Sequence, residues 1–532
     1  MNKWIVILGC VLMSVSLQAQ IGHGGMPYSF NQYQLQLTDI PTVNLPVKSH
    51  ALLLEEEIKE DKSEAYKFGE NIPVHFTPDN SGVWEDLPDG SRLWRLKIHS
   101  QGAYSLNFVF DTFYIPSHSQ LYIYTADKQY VAGAFTAENN NAAGDFATAL
   151  FPADEVVMEY HESVSDRDSA RIVLSSVIHA YKNLTGSWGT SDDCNIDINC
   201  PQGANMQVQK RAVVLILRYN YAHCTGTLMN NVRQDGTPYL LTANHCVEGY
   251  ESTLSKFVFV FNYEALTCNS QQQATVYSIN GATCLARHAH SDFCLLLLSS
   301  TPTQEMKPYY AGWNARKELP TSAVGIHHPS GDVKKISVAD NDFTYTKYET
   351  DIPSFPDNTH IQLIWAQGTT EGGSSGSALF NQDKLVVGQL EGGYAMCDDP
   401  DGEDLYGRLA YSWTNNNNPS QSKRLNCWID ADSTGTMVLQ GYDPYDTLSV
   451  HSSYYSSCIK AYPNPASHKI SVEGIHEEDC MYSIYDVKGQ CVTEGELNSY
   501  NSIDISTLKQ GMYVIKFKGR LTNNTIKVLI QR

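Results

Sequence analysis

The 532-residue sequence is poor in cysteine at its start and poor in positive charge throughout. Only Cys10 precedes Cys194; the other twelve of the 13 cysteines fall as nine from Cys194 to Cys427 and three in the tail. Disulfide stapling is thereby excluded from the first third and expected in the middle. Lysine and arginine number 37 against 58 aspartates and glutamates, a formal charge of −21. Such a balance argues against nucleic acid or an anionic membrane as partner, both of which recruit cationic surfaces. After the first twenty residues no stretch approaches the roughly 18 unbroken apolar residues of a membrane-crossing helix, so no membrane span is expected. Helix-periodic stretches are nearly absent from the middle of the chain, which leaves an all-β reading.

What is present divides the chain. Met1 to Ala19 combines Lys3, an apolar run from Trp4 to Met13 and the small-residue pattern Ser16-Leu17-Gln18-Ala19, which predicts a cleaved export signal over residues 1–20. Residues 21 to about 75 read as polar and partly helical, with a charged solvated helix or lid over Leu54–Lys62. From Trp84 to about Leu174, alternating runs such as Arg92–Ile98 and Ser105–Phe110, separated by turn signals, predict a β-sandwich. Polar residues from Tyr181 to Asp193 predict a flexible join open to proteolysis, with Lys182 as a candidate cleavage point. The central domain is placed at 191–440, a linker at 441–458 and a small separate β unit at 459–532.

Chemistry concentrates in the central domain. Gly372-Gly373-Ser374-Ser375-Gly376-Ser377, followed by Ala378-Leu379-Phe380, reads as a glycine-walled turn feeding a buried strand. Upstream, Tyr239–Ala243 is an apolar strand leading to Asn244-His245-Cys246, and Ser291-Asp292 precedes the apolar run Phe293–Leu298. A serine hydroxyl is a poor nucleophile unless an imidazole takes its proton and a carboxylate fixes the imidazole's tautomer. Ser375, His245 and Asp292 are the candidates for those roles, with Ser374 and Ser377 as rival nucleophiles. The chain order His, Asp, Ser is the order of chymotrypsin-type enzymes. The backbone N–H groups of Gly373 and Ser375 are candidates for an oxyanion hole. A bridge from Cys224 to Cys246 would close a loop of about 20 residues and pin the strand that presents His245. Gly388-Gln389-Leu390-Glu391-Gly392-Gly393 could pair with an extended peptide, which makes Glu391 and Gly392 candidate substrate contacts. In the acidic run Asp398–Asp404, Asp404 is the candidate acid for a cationic side chain.

At these residues the central domain resembles the lysyl endopeptidases, a bacterial branch of the chymotrypsin-like serine proteases. The likeness runs from Cys194-Asn195-Ile196-Asp197 through Cys224-Thr225-Gly226-Thr227-Leu228, His245-Cys246, Ser291-Asp292-Phe293, Gly325-Ile326-His327-His328-Pro329 and Gly373–Ser377 to Tyr406-Gly407-Arg408. The resemblance implies the triad named above, an acid at Asp404 that binds the substrate lysine, and disulfides Cys194–Cys397, Cys200–Cys268 and Cys224–Cys246. Glu391 departs from the family pattern, standing where a histidine is expected against the cleft, and leaves lysine-over-arginine selectivity open. Cys284 and Cys294 look additional to the pattern and are a candidate pair with each other, and Cys427 has no evident partner. The tail resembles the sorting domains of the type IX secretion system in Tyr462-Pro463-Asn464-Pro465, Tyr485-Asp486-Val487-Lys488-Gly489 and Gly511-Met512-Tyr513.

The expected architecture is therefore a chymotrypsin-like double β-barrel, preceded by a β-sandwich-like propeptide that assists folding and blocks the cleft, and followed by a small β-sandwich sorting domain. The expected activity is hydrolysis of peptide bonds after basic residues, with lysine favoured over arginine, by an enzyme secreted or held at the cell surface. Its expected partners are protein or peptide substrates and the type IX machinery; no cofactor or metal is implied. A non-catalytic surface adhesin on a protease scaffold, and a serine protease of other specificity, are the alternative readings.

Overall fold

The computed structural model describes residues 25–30, 39–57, 65–184, 190–272, 274–340, 342–348, 356–415, 417–445, 460–473, 481–497, 502–518 and 523–532. The export signal expected over 1–20 lies outside them. The chain forms two compact units, Met1–Pro444 and Tyr445–Arg532.

Within the first unit, the early residues build a sandwich. One sheet contains Thr42–Asn44, Arg92–His99, Glu155–Glu162, Gln120–Thr125 and Val131–Phe135, with Val83–Asp86 also paired to Arg92–His99; the other contains Gly69–Phe76, Arg171–Ala180, Leu106–Tyr114 and Phe146–Ala147. Inward-facing Trp94, Leu96, Phe108, Phe110, Phe135, Phe151 and Tyr160 fill the core between them. The sandwich thus reaches beyond the expected 84–174. Gly69–Phe76 escapes notice because Pro73 interrupts its pattern, yet it is an edge strand paired only with Arg171–Ala180, where a missing N–H is tolerated. The charged helix runs over His50–Glu57 with no buried residue, and residues 58–64 lie outside the description.

The central domain is two curved antiparallel sheets. The first runs Tyr277–Asn280, Phe257–Phe261, Val213–Arg218, Tyr221–Met229, Tyr239–Ala243, Phe293–Leu298 and Ala282–His288. Along the main path of the second lie Ile196–Asp197, Lys335–Ala339, Ala323–His327, Ala378–Asn381, Val386–Gly393, Glu403–Arg408, His360–Ile364 and Thr344–Thr346. One buried cluster spans both, joining Val214, Ile216, Leu241 and Phe293 to Ile326, Ala378, Phe380 and Val386. Each sheet therefore presents its loops to a common seam. Disulfides join Cys194 to Cys397, Cys200 to Cys268 and Cys224 to Cys246. Cys284 and Cys294 are free thiols with sulfurs 3.7 Å apart, and Cys427 is free as well.

The join between sandwich and central domain is not loose at its start, contrary to the sequence expectation. Tyr181 and Leu184 are buried, and Lys182 pairs with Glu57 and lies 4.0 Å over the Tyr66 ring. The sandwich even lends a strand to the first sheet: Tyr66–Lys67 pairs with Tyr221 and Ala222. Beneath it Phe68, Val109, Ile178 and Leu184 pack on Leu215, Leu217, Val258, Val260 and Tyr263. Tyr66 and Leu184 come against Gly331, whose N–H lies beside Gly373 of the glycine-walled turn; with the sandwich docked there, His245 stays exposed and Ser375 half-buried.

The second unit is a separate small sandwich. Its sheets are Lys460–Tyr462, Lys469–Glu473 and Ser502–Asp504, and Cys491–Glu496, Met481–Tyr485, Gly511–Lys518 and Asn523–Ile530. Ile470, Ile484, Ile503, Ile515 and Phe517 form its core.

Candidate active site

His245 follows the strand Tyr239–Ala243, whose end is fixed by the Cys224–Cys246 bridge. Asp292 is reached from the neighbouring strand through a tight turn over Ala289–Ser291, and its own φ is +47°. Aspartate tolerates this left-handed conformation better than most residues. The turn aims a buried carboxylate at the histidine: Oδ2 accepts from Nδ1–H at 2.7 Å, while Oδ1 accepts the backbone N–H of His245 at 2.9 Å. Asn244 N–H in addition donates to the Asp292 carbonyl at 2.6 Å. These contacts fix the ring's orientation and put its proton on Nδ1, leaving Nε2 as the basic atom. Burial pulls the imidazole's pKa down, but the charge and hydrogen bond of Asp292, aided by Glu391 and Glu248, lift it above the ordinary value.

The serine turn is held from several sides. Ser375 O accepts from Thr225 N–H at 2.8 Å and lies 3.9 Å from Cys246 Sγ, which places the turn beside the residue following His245. Thr225 Oγ1 donates to Gly373 O at 2.9 Å. Gly373 and Gly376 have φ of +94° and +81°; a Cβ on Gly376 would meet Thr242 Oγ1 at 2.2 Å, so glycine is required there. Among the three serines, Ser374 and Ser377 are fully buried while Ser375 is partly open. Ser374 Oγ is already committed: it accepts from Glu371 N–H at 3.1 Å and donates to His327 Nδ1 at 2.8 Å. His327 passes the chain on through Nε2–H to Ser337 Oγ, which donates to Thr369 O. Burial lowers the His327 pKa to about 3, so the ring is neutral, as this chain of bonds needs. The N–H groups of Ser374 and Ser377 are used within the turn and that of Gly376 by Leu390 O, whereas those of Gly373 and Ser375 donate to no acceptor among the described residues.

Strand Val386–Gly393 connects this turn to the acidic end of the seam. Gly376 N–H donates to Leu390 O and Leu390 N–H to Ser377 O, while Gln389 Nε2 reaches Ser291 O at 2.6 Å. On the far side the strand pairs with Glu403–Arg408, setting Gly393 opposite Asp404. A Cβ on Gly393 would come within 2.3 Å of Asp404 Oδ1, so the glycine keeps that oxygen clear. Asp404 is 1% exposed, and Oδ2 accepts Trp365 Nε1–H and Thr370 Oγ–H, each at 2.7 Å. Among the described residues no lysine, arginine or histidine pairs with it. Burial raises its pKa, opposed by the bonds from Trp365, Thr370 and the Ala395 N–H. Glu391 sits at a register shift in the strand and accepts from His360 Nε2–H. Thr359 Oγ1–H serves the other ring nitrogen at 2.8 Å, and burial holds His360 down at about 4. Gly392 pairs with Leu405, and a Cβ there would lie 3.3 Å from the Tyr348 hydroxyl.

Residues 188–407 match the family model of the lysyl endopeptidase C-terminal domain. Over those residues the central domain is similar to the lysyl endopeptidases. Residues 460–531 match a secretion system C-terminal sorting domain. A relative called lysyl endopeptidase, from Pseudomonas aeruginosa, is 24% identical over 346 residues, covering 60% of this chain and 72% of its own. Among solved structures, kallikrein-related peptidase 10 is similar at 18% identity over 40% of this chain and 96% of its own, with a TM-score of 0.29. Neuropsin, a serine protease of mouse brain, is similar at 15% identity over 39% and 94%, again with a TM-score of 0.29. The chain is a serine endopeptidase, acting on protein substrates. Its sorting domain marks it for type IX export to the cell surface or beyond.

The structure brings His245 and Asp292 together directly, and the turn of Ser375 alongside them. It gathers Asp404, Glu391 and Gly392 on two adjacent strands of the second sheet. Sequence reasoning missed Trp365 and Thr370 on Asp404, His360 on Glu391, and the support of the turn by Glu371 and His327. Only His327 lay within a motif already singled out; the others carried no local signal.

Proposed function

We propose that the central domain cleaves peptide bonds after basic residues, lysine favoured over arginine, through an acyl-enzyme on Ser375. The observation that carries this reading is the two-point hold of Asp292 on His245, next to the one serine of the turn that is open to solvent. His245 Nε2 removes the proton from Ser375 Oγ as the oxygen attacks the carbonyl carbon. The resulting imidazolium is stabilised by the Asp292 carboxylate, and the oxyanion is received by the N–H groups of Gly373 and Ser375. The imidazolium then protonates the leaving amine, the C–N bond breaks, and water attacks the ester with the same histidine as base. Asp404 selects the residue before the cleaved bond, since its buried charge is held by neutral donors only and a substrate ammonium would complete it.

Residues 21–190 are in this reading a propeptide, and the strand loan by Tyr66–Lys67 with the apolar docking face supports a role in folding the central domain. The test is cleavage of paired peptides differing only in lysine, arginine or a neutral residue before the bond. Cleavage after basic residues that Ser375→Ala abolishes is expected. Activity surviving Ser375→Ala, or no activity and no Ser375 labelling by a fluorophosphonate in matured protein, would overturn the assignment.

A further inference from the structure

Glu371, four residues before Ser375, is bonded through every polar group it has. Its backbone N–H donates to Ser374 Oγ at 3.1 Å and its carbonyl accepts Ser374 N–H at 2.9 Å, which closes the turn that carries Gly372 and Gly373. Its carboxylate points the other way, into two segments far off in sequence. Oε1 accepts the backbone N–H of Asp192 at 2.9 Å and Asn195 Nδ2–H at 2.5 Å, and Oε2 accepts Ser330 Oγ–H at 2.6 Å. Ser330, itself at a φ of +49°, returns a backbone N–H to Gly372 O at 2.6 Å. The neighbouring Ser191 is tied by its Oγ–H to Asp332 Oδ2 at 2.7 Å, and Cys194 is bridged to Cys397 just beyond the strand Val386–Gly393. The segment Ser191–Asn195 is thus fastened to three pieces of the cleft wall, and Glu371 is its link to the nucleophile turn.

We propose that Glu371 is a positioning residue for the oxyanion N–H groups, holding the turn in register against the segment Ser191–Asn195. This rests on the reading of Ser375 as nucleophile. Two adjacent glycines, Gly372 and Gly373, have a wide choice of backbone conformation. The peptide N–H of Gly373 points into the site only if both ends of the turn are fixed. Ser374, bonded to His327, fixes one end, and the charge-assisted bonds of Glu371 to Asp192, Asn195 and Ser330 fix the other. Glu371 does not touch substrate; it acts through the aim of its neighbours' N–H groups. Its loss should therefore lower kcat rather than raise KM, because the oxyanion forms only on the way to the transition state.

The experiment compares matured wild type with Glu371→Ala, Glu371→Gln, Asn195→Ala and the double variant Glu371→Ala/Asn195→Ala. Each is measured for kcat and KM on one lysyl peptide, for the rate of Ser375 labelling by a fluorophosphonate, and for affinity toward a peptide boronate. Wild-type labelling that disappears in Ser375→Ala establishes the nucleophile; its absence would overturn that reading instead of the role of Glu371. Glu371→Ala is expected to lose about 10²-fold in kcat, the scale of a lost or misaimed oxyanion donor, with KM changed less than threefold. Boronate affinity should fall in parallel, and Glu371→Gln, which keeps an acceptor for Asp192 and Asn195, should recover most of the loss. Asn195→Ala should be milder, and its effect should vanish in the Glu371→Ala background if it acts through that carboxylate. Unchanged kcat and labelling in Glu371→Ala, or strictly additive effects of the two substitutions, would overturn the proposal. If Glu371→Ala does not fold, the kcat and boronate affinity of Asn195→Ala decide alone.

Discussion

Replacing Asp404 by asparagine separates recognition from catalysis. The substitution keeps an oxygen for Trp365 Nε1–H and Thr370 Oγ–H and changes the volume little, so the pocket wall should survive. What it removes is the buried charge that, on this reading, a bound ammonium would meet. A buried cation left without its partner costs about 3–5 kcal/mol, which at ~1.4 kcal/mol per tenfold lowers kcat/KM on lysyl peptides by roughly a hundred- to a few thousand-fold. Peptides with a neutral residue before the bond should be cleaved no worse than by wild type, and Ser375 should label at the wild-type rate. Stability should move in the opposite direction from activity. The folded-state pKa of Asp404 is raised, chiefly by burial, so the folded protein holds this proton more tightly than the unfolded chain. Its contribution is therefore complete below the unfolded carboxylate pKa and is lost as pH rises through the folded one. At neutral pH the charged form is a cost, and Asp404→Asn should melt at a higher temperature than wild type, with the gap closing in acid. Equal losses on lysyl and neutral peptides would rule out Asp404 as the selecting acid, because they would mean that the carboxylate supports the site generally rather than reading charge.

Other outcomes follow from the same geometry. Ser375→Ala should abolish activity with an unchanged melting temperature, whereas Ser374→Ala should melt about 1–3 kcal/mol less stable, since it strands His327 Nδ1 and Glu371 N–H, yet still label at Ser375. In a profile of kcat/KM against pH, the acid limb should lie above the ordinary imidazole value, because Asp292 holds the His245 proton in the folded enzyme. Glu391→Gln removes one of the charges that favour the imidazolium, and should move that limb to lower pH. Replacing both Cys224 and Cys246 by serine opens a bridge with a sequence separation of 22 and should cost about 3 kcal/mol in denaturant unfolding.

The candidate site was legible in the sequence where a chemistry-bearing residue sits next to a local landmark. His245 follows an apolar strand and precedes a cysteine, Asp292 sits at the head of an apolar strand, and Ser375 lies in a glycine-walled turn. What supports them was not legible, because each support is a pair of residues distant along the chain. Trp365 lies 39 positions from Asp404, and Asp192 lies 179 from Glu371. Neither partner is unusual until folding joins them. The docked start of the join was misread for a related reason. Tyr181, Lys182 and Leu184 look like an ordinary polar stretch, and only the ring of Tyr66 and the carboxylate of Glu57 give them an environment.

The strand that Tyr66–Lys67 lends to the central sheet separates two events that are easily treated as one. Hydrolysis in the join between the sandwich and the central domain removes a covalent connection, but it breaks neither the backbone pairing to Tyr221 and Ala222 nor the apolar contact of Phe68, Ile178 and Leu184 with Leu215, Val258 and Tyr263. A nicked molecule should therefore migrate as one particle on a sizing column and as two chains on a denaturing gel. Liberation of the central domain then has its own rate, set by dissociation or by digestion of the sandwich, and the two pieces part only when that second step is complete.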